Sequence, residues 1–341
     1  MAKRRGATTI SQMAARFTKA LEDTPTAEDV ARQRETIEVL PTGLPVVDWG
    51  VFGIGGLPFG FGVEVFGKEG SGKTLFAIHM CAQYHKLYEG DIYWVDSEGS
   101  HVPHWMARNG MDLSRTKIAH SLGSAEKYEQ KIQAAIAGGV KLIVLDSAAS
   151  MLPESIQHAD SSALRMDQKN EQPQFMTNML MRIEAGWPEA GLPSFADSGA
   201  IFIIINHTNR FQEDDFYKDS KGAAKIKHFC RIRVNIEARG LIRDHDGKPT
   251  FKPPAEEGVA RIQCLKNQLA LPACESVYHV NLVTGEMWDD VESIIELGKR
   301  KGTLEIKGAW YNHGKSRWNG KEKLAEALIN MPELANRICA G

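Results

Sequence analysis

The chain has 341 residues, of which 43% are hydrophobic and 25% charged, with a formal net charge of -2. That length supports one large domain with appendages, or two domains, around a sizeable core. The near-neutral charge excludes a global pull toward nucleic acid, so any DNA contact must rest on local patches. Five scattered cysteines without C-x-x-C spacing (Cys81, Cys230, Cys264, Cys274, Cys339) fit reduced thiols rather than a disulfide framework. No apolar run approaches the roughly 20 residues of a membrane span, and no signal-peptide core follows the first residues. The expected location is the cytoplasm, with no membrane partner.

In chain order, residues 1–40 carry helical spacing at 10–21 and 26–34, suited either to local docking or to contact with another subunit. The next stretch is rich in glycine (Gly43, Gly50, Gly53, Gly55, Gly56, Gly60, Gly62), which marks tight turns and close backbone approach. The apolar run 63–66 then reads as a buried strand and 75–88 as a helix. Between them, Gly67-Lys68-Glu69-Gly70-Ser71-Gly72-Lys73-Thr74 fits the phosphate-binding pattern G-x-x-x-x-G-K-[ST]. Glycines let successive N–H groups turn inward around a phosphate, and the helix N-terminus adds partial positive charge. Lys73 can reach the β- and γ-phosphates, and the Thr74 hydroxyl can hold Mg²⁺.

Residues 91–96 form a second expected strand ending in Asp96-Ser97-Glu98, at the crevice end of an open α/β sheet. Glu98 is a candidate general base orienting water toward a γ-phosphate; alone it would be a solvated loop residue, but the neighbouring phosphate loop favours function. A helix at 125–137 leads to the strand 141–147, which carries Asp146. Asp146 can hold Mg²⁺ through its water shell, the bland alternative being a capping role. In the helix at 175–183, Met176, Met179, Leu180 and Ile183 share one stripe, with Met181 off it, and read as core filling. The run 200–205 is the strongest buried strand, closed by Asn206-His207, a polar pair able to sense a γ-phosphate; a lone His is more often structural.

The polar stretch 153–173 includes Arg165 and Lys169. The longer loop 208–224 interleaves Arg210, Phe216, Lys218 and Lys221, a mixture suited to single-stranded nucleic acid, though Asp214, Asp215 and Asp219 dilute its charge. Lys225, Lys227, Arg231 and Arg233 follow. Strands expected at 231–238 and 259–265, with a turn at Gly247, suggest an antiparallel extension of a mainly parallel sheet. Near Gly285 a small module begins, with helices at 291–299 and 321–329. Between them lie Lys307, Trp310, Tyr311, Lys315, Arg317 and Trp318, which suit either duplex DNA or a solvated face over a few core aromatics.

Together these residues resemble the RecA family of DNA strand-exchange recombinases, from about Leu40 to the end. Pro41-Thr42-Gly43 with Gly55-Gly56-Leu57-Pro58, the phosphate loop, Asp96-Ser97-Glu98, the 142–147 strand, Ile204-Ile205-Asn206 and Gly308-Ala309-Trp310-Tyr311 match in order. The resemblance implies an α/β fold: a RecA-type P-loop ATPase core with a mainly parallel sheet over 41–282, an N-terminal helical segment over 1–40 and a small α+β C-terminal domain over 283–341. It also implies ATP with Mg²⁺ held by Lys73, Thr74 and Asp146, Glu98 as base, Trp105 on adenine, and DNA loops at 156–169 and 208–224. Lys227, Arg233 and Lys266 match residues that approach a neighbouring subunit's ATP in a helical filament on single-stranded DNA, which pairs with homologous duplex DNA.

Four departures stand out. His207-Thr208 resembles bacteriophage members, where cellular bacterial members carry Gln after the Asn; Gln268 replaces a second interface lysine; Val102 replaces an adenine-contacting Asp; and no acidic tail follows the last helix. These imply a pH-variable sensor, altered ATP coupling, looser nucleotide selectivity and no tail-mediated self-inhibition. A hexameric helicase or translocase with a RecA core would share Lys73, Glu98 and Asp146 without needing the C-terminal match. An ATP-binding DNA scaffold with little turnover would not need Glu98.

Overall fold

A computed structural model describes residues 26, 28, 37–99, 103–157, 171–208, 219–220, 223–238, 242–243, 249–250, 257–271 and 274–341. The helix expected at 10–21, all but two residues of that at 26–34, and the turn at Gly247 lie outside the described residues. The chain divides into two compact units, 1–38 and 39–341.

In the second unit β1 (Val39–Leu40) pairs antiparallel with β2 (Leu57–Pro58). Between them Val47–Phe52 forms a π-helical turn where glycine density had suggested only tight turns. Then come β3 (Gly62–Gly67), α1 (Lys73–Leu87), β4 (Ile92–Asp96), α2 (Pro103–Arg108), β5 (Thr116–His120), α3 (Ala125–Ala137) and β6 (Leu142–Asp146). The core continues through α4 (Glu171–Ala185), β7 (Ile201–His207), α5 (Ala224–Phe229) and β8 (Cys230–Ala238). It closes with β9 (Ile242–Arg243), β10 (Pro249–Thr250), β11 (Glu257–Asn267), β12 (Glu275–Asn281) and β13 (Met287–Trp288).

The main sheet runs β10-β9-β11-β8-β3-β7-β6-β4-β5, with β12 and β13 branching from β11. From β8 to β5 all pairs are parallel; β11 and everything beyond it pair antiparallel. β3, β7 and β6, in the middle of the parallel block, are buried on both faces and are near-continuous apolar runs. Side chains alternate between the faces. On β7, Ile201, Ile203 and Ile205 join the core that holds Phe76, Ile78 and Met80 of α1, while Phe202 and Ile204 join a second core with α3, α4 and α5. Helix α1 is buried nearly all round, consistent with its apolar composition on every face. On α4 the stripe Met176, Met179, Leu180 and Ile183 is buried and Met181 is exposed.

The C-terminal part comprises α6 (Val291–Lys301), the three-stranded sheet β14 (Glu305–Lys307), β15 (Trp310–His313) and β16 (Ser316–Asn319), then α7 (Lys321–Asn330) and α8 (Pro332–Ala340). Asp290 caps α6, accepting from the Ser293 N–H at 2.7 Å, and Gly302 ends it in the left-handed region. A third core joins Ile294, Leu297, Leu324, Leu334 and Ile338 to Val46 of the 46–52 turn, with Trp49 packed against it.

Two buried carboxyls tie this junction. Asp48 accepts the Thr42 N–H at 2.9 Å, and Asp289 accepts the Val46 N–H at 2.7 Å. Burial pushes Asp48 up to about 8, against its Thr42 bonds and with help from the Asp289 charge. Burial likewise lifts Asp289 to about 7, against its Val46 bond. The unfolded carboxyls titrate near the ordinary 3.8, so between 3.8 and about 8 the folded chain binds more protons than the unfolded chain. Stability therefore falls as pH rises through that window. Asp48→Asn, which keeps the acceptor for Thr42, should narrow the gap in urea midpoint between pH 5 and pH 8; an unchanged gap would refute this assignment.

Candidate active site

The phosphate loop follows β3 because β3 ends against β8 with no room for a side chain. A Cβ on Gly67 would stand 2.2 Å from the Ile236 carbonyl oxygen and 2.6 Å from Ser71 Oγ. Gly70 and Gly72 then adopt φ of +71° and +94°, and no neighbouring atom lies within 4 Å of the point where either Cβ would sit. Both glycines thus face open space in the loop that leads into α1, as a phosphate cradle at a helix N-terminus requires.

Lys73 is buried and donates from Nζ to the Lys68 carbonyl at 2.8 Å. Burial presses its pKa below the ordinary lysine value, against the pull of Asp146, Glu98 and Glu69. Thr74 Oγ1 donates to Asp146 Oδ2 at 2.9 Å. Burial pushes Asp146 up to about 6, the Glu98 and Asp96 charges adding to the rise while Thr74 and Lys73 oppose it. This pair of hard oxygen donors suits a divalent cation. Among the described residues no group of three His, Cys, Asp or Glu could hold a metal alone, so phosphate and water oxygens would complete the shell, as is usual for Mg²⁺.

Glu98, just past β4, receives three side chains on one oxygen. Ser147 donates to Oε1 through a short hydrogen bond, His207 Nε2 lies 3.0 Å from the same atom, and Ser150 Oγ stands at 3.5 Å. Burial pushes the carboxyl up, but the Ser147 and His207 bonds and the His207 and Lys73 charges outweigh it and hold Glu98 below its ordinary value. The arrangement keeps a charged carboxylate beside the phosphate loop. His207, expected from the sequence as a catalytic γ-phosphate sensor, lies in hydrogen-bond contact with the Glu98 carboxylate.

A buried polar chain leads away from this cluster along one face of the sheet. Asn206 Nδ2 donates to Glu64 Oε1 at 3.0 Å, and Arg233 Nε donates to Glu64 Oε2 at 2.5 Å. Glu64 is fully buried and is the more buried of the two carboxylates that pair with Arg233. Arg233 also donates to Asp219 Oδ1 at 2.8 Å and to Ser220 Oγ at 3.0 Å. Lys227 pairs with the other Asp219 oxygen, and Lys266 Nζ donates to the carbonyls of Lys227 and Cys230 at 2.6 and 2.8 Å. The structure thus gathers Lys227, Arg233 and Lys266 from α5, β8 and β11. Gln268 accepts from Arg231 at 2.7 Å.

Trp105 lies on α2, half-buried against the α1-side core, where its carbonyl accepts from Asn109 Nδ2 at 2.7 Å. Arg165, Lys169, Arg210, Phe216, Lys218, Lys221 and Val102 lie outside the described residues. Thr208 and Ser220, both within the stretch 208–224, meet in an isolated antiparallel bridge. Sequence reasoning missed Glu64, Ser147 and Asp219. For Glu64 a signal existed: a lone carboxylate inside the apolar run Val63-Glu64-Val65-Phe66 has to find a partner.

The RecA N-terminal domain family model matches residues 9–286. Protein RecA of Paracoccus denitrificans is 28% identical over 320 residues, covering 93% of this chain and 81% of that protein. Protein RecA of Cereibacter sphaeroides is 27% identical over 306 residues, covering 89% and 82%. A mitochondrial DNA repair protein recA homolog of Dictyostelium discoideum is 26% identical over 293 residues, covering 85% and 60%. No helix among the described residues is long and apolar enough to cross a membrane. With the family match spanning most of the chain, and a phosphate cradle, acidic strand ends and mainly parallel sheet in the order the sequence implied, the chain belongs to the RecA family.

Proposed function

We propose that the chain is a cytoplasmic, ATP-dependent DNA recombinase that forms a helical filament on single-stranded DNA and exchanges strands with homologous duplex. The match to the RecA family carries the recombinase part of this reading, and Glu98, a carboxylate held beside the phosphate loop by groups from the ends of β6 and β7, carries the ATPase part.

In this reading the N–H groups of the 67–74 loop take the β- and γ-phosphates of ATP, and Lys73 leaves the Lys68 carbonyl to meet them. Thr74 and Asp146 would hold Mg²⁺, which when bound would supply positive charge to the phosphates. Glu98 accepts the proton of an attacking water, and its bonds to Ser147 and His207 fix where that water sits. Trp105 stacks on the base. Lys227, Arg233 and Lys266 face the ATP of the next subunit, which links nucleotide state to filament geometry. Residues 41–282 act as the ATPase core, with Arg165, Lys169, Arg210, Phe216, Lys218 and Lys221 contacting single-stranded DNA. Residues 283–341 meet the duplex; there Arg317 stacks on Trp310 with its guanidinium carbon 4.0 Å from the ring centroid.

ATP hydrolysis measured with and without single-stranded DNA should show strong stimulation that weakens as salt rises. Glu98→Gln should cut stimulated turnover by roughly 10²–10⁴-fold. DNA-independent turnover, or none in the parent chain, would refute the reading. A second test addresses Ser147. Its hydrogen bond lowers the Glu98 pKa, so Ser147→Ala should move the acid limb of the turnover–pH profile to higher pH, while an unmoved limb would remove Glu98 as the titrating base.

A further inference from the structure

All three cations assigned above to a neighbour's ATP have partners within their own chain. Lys266 is held by two carbonyls and Arg233 by Glu64, both inside the fold. Asp219 differs. Its two carboxylate oxygens divide between Lys227 Nζ and Arg233 Nη2, and its own Oδ1 also accepts the Ser220 N–H at 2.8 Å. The Asp219 side chain is 43% exposed and that of Lys227 33%, against 0% for Glu64. Glu64 is therefore a permanent counter-ion of Arg233, whereas Asp219 sits where solvent or another anion can reach it.

We propose that Asp219 is an intramolecular stand-in for a phosphate: it occupies Lys227 and Arg233 in the isolated subunit and must be displaced before those cations can bind the triphosphate of an adjoining copy. The proposal rests on the reading that these cations face a neighbour's ATP. A carboxylate offers two charge-assisted acceptors, as one face of a γ-phosphate does, but with less negative charge. ATP on an adjoining subunit therefore wins the exchange, while a subunit without triphosphate beside it stays closed on itself. Burial raises the Asp219 pKa, but the Lys227 and Arg233 bonds outweigh it and keep the carboxyl charged, as a competitor must be.

The test follows self-assembly of the full chain by sedimentation velocity, with Mg²⁺ and a non-hydrolysable ATP analogue, without DNA, over a range of protein concentrations. Asp219→Asn removes the competing charge and keeps the side-chain size. It should lower the concentration at half-assembly by about tenfold, the effect of deleting a competing pair of charge-assisted bonds. A purely structural role would shift assembly the other way, to higher concentration. Asp219→Ser gives a second removal of the charge should circular dichroism show that the first variant fails to fold. Lys227→Ala separates the two readings. If it assembles like the parent, the assignment of that cation to a neighbour's ATP fails. If Lys227→Ala loses assembly while both Asp219 variants match or fall below the parent, the stand-in role is overturned and the assignment survives.

Discussion

Parallel pairing in register is the constraint on which this structure depends. β3, β7, β6 and β4 all run the same way, and their pairing sets Gly67 opposite His207 and Asp96 opposite Asp146. Four strand ends separated by up to 140 residues of chain thus finish at one level. β3 ends on Gly67, which opens the phosphate loop, β4 and β6 end on the carboxylates Asp96 and Asp146, and β7 ends on His207. A slip of one residue in any pair would send these side chains to the other face of the sheet and dismantle the site.

Much of this arrangement was legible in the sequence because the parallel block is written in unbroken apolar runs with polar residues at their ends. Ile201 to Ile205 admits only a buried element, and Asn206-His207 marks where it leaves the core. The phosphate loop was legible for a stronger reason, since cradle chemistry fixes residue types at fixed spacing. The less visible parts have no local signature. Val47–Phe52 coils into a π-helical turn because Val46 and Trp49 complete the C-terminal core, a demand set by residues far along the chain. β5 is an edge strand with only Ala119 buried, so its pattern carries little periodic signal. The contact of Ser147 with Glu98 joins residues 49 apart, and no spacing rule within one strand reveals it.

Electrostatics in this fold are arranged by degree of burial. Glu64 and Arg233 are both deeply buried, where the low dielectric makes a lost partner costly, and they bind β3 to β8. Glu98 and His207 are each about 30% exposed, so their pairing is weaker and open to competition from water or ligand. The gradient runs from fixed pairs inside the sheet to exchangeable pairs at its rim. It places the groups that must change partners where exchange costs least, and it leaves the strand framework unaltered while they do so.

The bond from the Val46 N–H to Asp289 spans 243 residues of sequence. Val46 and Trp49 precede β2, β3 and the phosphate loop, yet part of their packing is supplied by helices of residues 291–340. During synthesis the lead-in therefore emerges roughly 12–50 s before its partners, at about 5–20 residues per second. Over that interval Val46 and Trp49 lack these partners, while Val47, Val51 and Phe52 of the same turn belong to the α1-side core. The helices that cover Val46 and Trp49 lie within residues 291–340, so the C-terminal core closes only after they have been made.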